Sequence, residues 1–154
     1  MTYDELLQSA DEEGVNVVDY HFTSDNIKGL YCDGTIALSR NIRTTSERAC
    51  ILAEELGHYH TSSGDIIDLK NCSNRKQEYR ARLWSFDKLV GLNGIVSAYK
   101  AGCRNTHEVA VHLGITEEFL QEALSCYRKK YGIYTILDNY VIYFEPNIGV
   151  FELI

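Results

Sequence analysis

Hydrophobic and polar positions change rhythm along the chain, and each change marks an element. Thr2 is placed to cap a short helix running to about Asp11. The run VNVVDYHF that follows is rich in β-branched and aromatic residues and reads as a strand. GLYCDGTIAL then carries two short apolar runs around Asp33-Gly34, a turn dipeptide favoured in hairpins. A small sheet is therefore expected ahead of the first long helix.

From Thr45 or Ser46 the period becomes helical, with Ala49, Ile51, Leu52, Ala53 and Leu56 leading to a glycine-interrupted end near His60. A second helix is expected from about Asn74, with Tyr79, Leu83, Phe86 and Val90 on one face. Shorter helical patterns cover Ile95 to Lys100, Thr106 to Leu113 and Thr116 to Lys130, the last capped by Thr116. The tail YTILDNYVIYFEPNIGVFELI returns to strand composition, with turns at Asp138-Asn139 and Pro146-Asn147 and a terminal β-hairpin. Strands, then helices, then strands predict an α+β fold rather than alternating βαβ units. Pro146 is the only proline, and no linker, repeat or low-complexity run breaks residues 1–154, so a single domain is expected.

Composition narrows the function classes. The chain has 154 residues, 45% of them hydrophobic and 24% charged, which excludes disordered, collagenous and coiled-coil readings. Fifteen Lys and Arg against 22 Asp and Glu leave a net charge of −7, which repels phosphate backbones and anionic membranes. Direct nucleic-acid binding is not expected. No run nears the roughly 18 apolar residues of a membrane helix, and MTYDELLQSADEE is acidic where a secretion signal is basic and then apolar. A cytoplasmic protein follows. Cys32, Cys50, Cys72, Cys103 and Cys126 are scattered with no CxxC pair, so free thiols are expected, with Cys50 and Cys126 as small core residues.

The segment Ala53-Glu54-Glu55-Leu56-Gly57-His58 carries the chemistry. On a helix, Glu54 and His58 are i and i+4 and project from one face, with Glu55 about 100° round from Glu54. That is the spacing of the HExxH zinc helix, with Glu54 in the first ligand position and Glu55 as the residue that polarises water. A solvated Glu-Glu face with a weak Glu–His pair is the plain alternative. Against it, Glu55 falls between Ile51 and Tyr59 at the edge of the apolar stripe, where a carboxylate beside another carboxylate calls for a cation or donors. A catalytic zinc needs a third protein ligand. Glu78 is the candidate, with Ala81 and Ser85 beside it to let the first helix approach; its alternative is an i,i+4 ion pair with Arg82.

GLYCDGTIAL, CILAEELGHYHTSSGD and QEYRARLWSFDKLV together resemble the ImmA/IrrE family of short gluzincin metallopeptidases, loosely over Val15 to Lys130. The resemblance implies a zincin-like helical core with an active-site helix and a glutamate helix. It implies Zn2+ held by Glu54, His58 and Glu78, with Glu55 as general base. Glu54 stands where the family's pattern has histidine. The implied activity is endopeptidase cleavage of a helix-turn-helix repressor that derepresses a phage or mobile element. The strand Thr35 to Leu38 would lie along the active-site helix and offer a free edge to an extended substrate. A non-catalytic antirepressor that binds the repressor with the same fold is the rival reading. His60 is an accessory candidate, as a further ligand or an orienter of a substrate carbonyl, or it simply complements the helix dipole. His21, His107 and His112 have no partners at ligand spacing.

THEVAVHLGITEEFLQEALSCYRKK has the outline of a DNA-binding helix-turn-helix. Its second helix would bring Glu117 and Glu118 to the groove, while Arg128, Lys129 and Lys130 sit at the far end. It reads as a packing module.

Overall fold

The computed structural model describes residues 1–62 and 72–154. It is an α+β arrangement, with two three-stranded sheets among the described residues. Packing divides the chain into two compact units, Met1–Ser85 and Phe86–Ile154.

In the first unit, α1 (Tyr3–Glu12) is opened by Thr2. Its hydroxyl accepts from the Glu5 N–H, and the Glu5 carboxylate accepts from the Thr2 N–H, so two orphan donors are satisfied at once. The strands are β1 (Asn16–Tyr20), β2 (Gly29–Cys32) and β3 (Thr35–Ser39). Asp33 and Gly34 take positive φ, 47° and 79°, which lets so short a turn follow the strand twist into the expected hairpin. The sheet order is β1-β3-β2, with β3 parallel to β1 and antiparallel to β2. This corrects the expectation of a free edge on Thr35 to Leu38: β3 is paired on both sides, and among the described residues the edge strands are β1 and β2. The parallel pairing joins Asn16 to Thr35 across the whole hairpin, and no local turn signal announces it.

Helix α2 (Thr45–Thr61) starts at a Thr44 cap and packs on β2 and β3. Ile36 and Leu38 alternate inward from β3 and meet the stripe Leu52, Ala53 and Leu56; Leu6 and Ala10 of α1 complete this core. Each fully buried Leu or Ile contributes roughly 1.5–3 kcal/mol of transfer free energy. Gly57 does not interrupt α2, which continues to Thr61.

Helix α3 (Cys72–Leu89) begins two residues before the expected Asn74 and crosses the division between the units. Its buried stripe is Ala81, Ser85, Phe86 and Leu89. Tyr79, expected on that face, is 50% exposed, because the side of the helix that is closely covered is the one with the small residues.

The second unit holds α4 (Gly91–Lys100), α5 (Thr106–Leu113) and α6 (Glu117–Tyr131), then β4 (Tyr134–Leu137), β5 (Tyr140–Tyr143) and β6 (Gly149–Glu152). Asn105 and Thr116 cap α5 and α6, and Gly114 ends α5 at φ 70°, a conformation that glycine enters without penalty. Phe86 and Phe119 meet edge to face at 5.1 Å between ring centres. The buried Tyr127 hydroxyl donates to Asp87 (2.9 Å) and accepts from the Gly91 N–H (3.2 Å), so the polar end of a core residue is satisfied. The expected terminal hairpin is present as β4–β5, and β6 adds a third strand beside β5. His107 pairs with Glu117, tying the first turn of α6 to α5.

Cys32, Cys50, Cys103 and Cys126 are free thiols, Cys50 buried and Cys126 half-buried. The Cys72 side chain and the Ser63-Gly64-Asp65 end of the CILAEELGHYHTSSGD segment lie outside the described residues. Among the described residues no helix is long and apolar enough to cross a membrane.

Candidate metal centre

The close approach of two helices creates the site. A Cβ added to Gly57 on α2 would strike the carbonyl oxygen of Ala81 on α3, so only glycine permits this crossing. One residue beyond Gly57, His58 turns toward α3, and its Nε2 stands 3.5 Å from Glu78 Oε2. The His58 side chain is 21% exposed and that of Glu78 56%. A spacing of 3.5 Å is long for a good hydrogen bond, which runs to about 3.2 Å. It matches the edge of a tetrahedron: two donor atoms each about 2.0–2.1 Å from a zinc ion stand about 3.4 Å apart. Imidazole nitrogen and carboxylate oxygen are both donor types that zinc accepts.

Glu55 sits beside this pair, half-buried at the edge of the α2 core face. Burial, and then the charges of Glu54 and Glu78, push its carboxyl up to about 7; a hydrogen bond from the Tyr31 backbone opposes the rise. Gly29 of β2 makes room for it. A Cβ there would come within 2.6 Å of Ile51 Cγ2 and 3.2 Å of Glu55 Oε1. Strand β2, one of the two edge strands, is thus the strand that borders Glu55.

The sequence expectation is met unevenly. His58 and Glu78 come together from separate helices, and Glu55 lies within electrostatic reach of Glu54 and Glu78. Glu54 is half-buried on the same helix. Among the described residues, no three His, Cys, Asp or Glu side chains converge as a set that could hold a metal ion.

His60 is engaged by residues from two other parts of the chain. Its Nε2 pairs with Glu13 Oε2 at 2.8 Å, and its ring stacks on Trp84 with centres 4.5 Å apart and planes at 14°. Tyr59 meets the His60 ring edge-on at 5.0 Å and Tyr31 at 6.0 Å. Sequence reasoning missed Glu13, Tyr31, Trp84 and the role of Gly29. A lone glycine inside a helical run is the one signal that marks Gly57 as a point of close approach. Elsewhere, His112 Nε2 lies 3.1 Å from Ser97 Oγ, and His107 is held by Glu117.

The chain matches no known family model, no curated protein and no solved structure.

Proposed function

We propose that the chain is a zinc-dependent endopeptidase of the ImmA/IrrE kind, acting in a bacterial cytoplasm on a helix-turn-helix repressor. Glu54, His58 and Glu78 would hold the ion and Glu55 would move the proton. The observation that carries this reading is the 3.5 Å spacing of His58 and Glu78 across two helices, at the separation of two zinc ligands. Zinc there would supply a Lewis acid that polarises the scissile carbonyl and acidifies the attacking water.

The rest of the chemistry belongs to the chain. A carboxyl whose proton affinity lies near neutrality can take a proton and return it to a leaving amine at pH 7, and Glu55 is pushed to about 7 by burial and its acidic neighbours. The free edge of β2 offers backbone hydrogen bonds to an extended peptide, and Gly29 keeps that border narrow beside Glu55. The net charge of −7 favours docking on a basic DNA-binding protein.

The test is co-expression with a candidate helix-turn-helix repressor, with the repressor's mass measured with and without a chelator. Cleavage should vanish with the chelator. It should also fall by at least about 10²-fold in Glu55→Gln, a variant that should still bind zinc. Cleavage that persists in Glu55→Gln would remove the assigned role. A second reading is favoured by the carboxylate at residue 54. Three carboxylates around one imidazole leave little net pull on a water, which suits an antirepressor that binds without cutting. In that case Glu55→Gln derepresses as well as the parent.

A further inference from the structure

We propose that His60 is a positioning residue: held between Glu13 and Trp84, it fixes the last turn of α2 and thereby the reach of His58 toward Glu78. The inference rests on reading His58 and Glu78 as a ligand pair. Four observations carry it.

The first is that His58 lies in the last turn of α2. The α2 terminus has Ser62 donating to the His58 carbonyl and the Thr61 hydroxyl donating to the Gly57 carbonyl, and it ends there. The second is that the His60 contacts come from two other elements. Glu13 is the C-cap of α1, and Trp84 belongs to α3, the helix that also carries Glu78. The third is geometric. The close approach of Gly57 to Ala81 joins α2 and α3 next to the His58–Glu78 pair, so a change in how the helices cross there changes that distance. The His60–Trp84 stack is a further contact between the same two helices and restricts their relative movement. The fourth is that His60 is held at two places at once, with Nε2 on the Glu13 carboxylate and one ring face on the indole.

The contacts also form a chain from the substrate edge inward. Tyr31 of β2 touches Tyr59, Tyr59 touches His60, and His60 stacks on Trp84. Loss of the stack would therefore loosen both the ligand pair and its border with β2.

The experiment uses the full chain, stripped with a chelator, as the parent and as His60→Ala, Trp84→Ala, Trp84→Phe and Glu13→Gln. Zinc affinity is measured by calorimetry, cobalt(II) spectra report ligand geometry, and hydrogen exchange of the 59–62 amides is followed without metal. The proposal expects His60→Ala and Trp84→Ala to weaken zinc about 10- to 100-fold, the range found when support of a ligand is removed. It expects the cobalt bands to change in shape without losing a nitrogen donor. Exchange at 59–62 should quicken about tenfold or more in both variants. Trp84→Phe, which keeps a ring for the stack, should restore most of the affinity, whereas a contribution to general stability alone would not track ring character. Unchanged exchange in His60→Ala and Trp84→Ala overturns the proposal. So does loss of a nitrogen donor from the cobalt spectrum of His60→Ala, which makes His60 a ligand. If the parent takes up no zinc, the metal reading fails, and the exchange result alone decides the clamp.

Discussion

Gly57 passes so close to Ala81 that one added methyl group would strike a backbone carbonyl oxygen, and backbone cannot rotate away as a side chain can. Gly57→Ala is therefore expected to destabilise the protein by about 1–3 kcal/mol, despite alanine's better helix propensity. The helices must separate to admit the methyl, so zinc affinity should fall with stability. Urea unfolding and a zinc titration check both. A stable variant with undiminished affinity would mean that the crossing does not set the site.

The pH dependence has a definite sign. The folded chain raises the Glu55 carboxyl from the ordinary 4.5 to about 7, through burial first and the charges of Glu54 and Glu78 next. The folded form thus holds a proton that the unfolded form releases. The stabilisation is complete below about pH 4.5 and lost as pH rises through about 7. The shift is equivalent to roughly 3 kcal/mol. For chelated protein, Glu55→Gln should be more stable than the parent at about pH 8 and gain nothing at about pH 4.5. Parallel stability curves for the two would place the strain elsewhere.

Exchanging Glu54 for histidine removes one carboxylate from a cluster of three and supplies a neutral nitrogen donor at the same helical position. On the proposed zinc reading, Glu54→His should tighten zinc by about an order of magnitude, because imidazole nitrogen suits zinc better than carboxylate oxygen, which suits magnesium and calcium. It should also lower the Glu55 proton affinity, since Glu54 is the second largest cause of its rise. Calorimetry and a pH titration read the two effects. Weaker binding in this variant would show that residue 54 is not a ligand.

In the second unit, Tyr127 joins Asp87 and the Gly91 N–H through one buried hydroxyl, and burial beside Asp87 pushes its proton affinity upward. Tyr127→Phe removes both hydrogen bonds, though water can replace the hydroxyl at the exposed Asp87, and should cost about 1 kcal/mol by thermal or urea unfolding. Zinc affinity should be unaffected, since none of these residues belongs to the proposed centre. A coupled loss of both would contradict that separation.

What the sequence reveals is local. Thr2, Thr44, Asn105 and Thr116 sit at helix starts where their hydroxyl or amide oxygens accept from the helix N–H groups, so those helices are visible as patterns. The i,i+4 relation of Glu54 and His58 needs nothing beyond helix geometry. The partnership of His58 with Glu78 follows less directly, from the small residues Ala81 and Ser85 on the facing helix. The central place of β3 leaves no mark in the sequence, because its parallel partner β1 is set by long-range packing, and an edge strand and a central strand of this length look alike in composition. Tyr79 is exposed while Ala81 and Ser85 are buried, so aromatic character does not mark the covered face of α3. Glu13, His60 and Trp84 meet from three helices, and separations of this size leave no periodic trace. The division of the chain within α3 is equally silent, since the helix crosses it with no proline or glycine to mark it.

Trp84 is the chain's sole tryptophan, and its indole rests on an imidazole two residues from His58. Its fluorescence therefore comes from one place only, within the neighbourhood where an arriving ion would act. The protein carries a built-in optical gauge of that neighbourhood, readable without dye or label and undiluted by signal from any other indole.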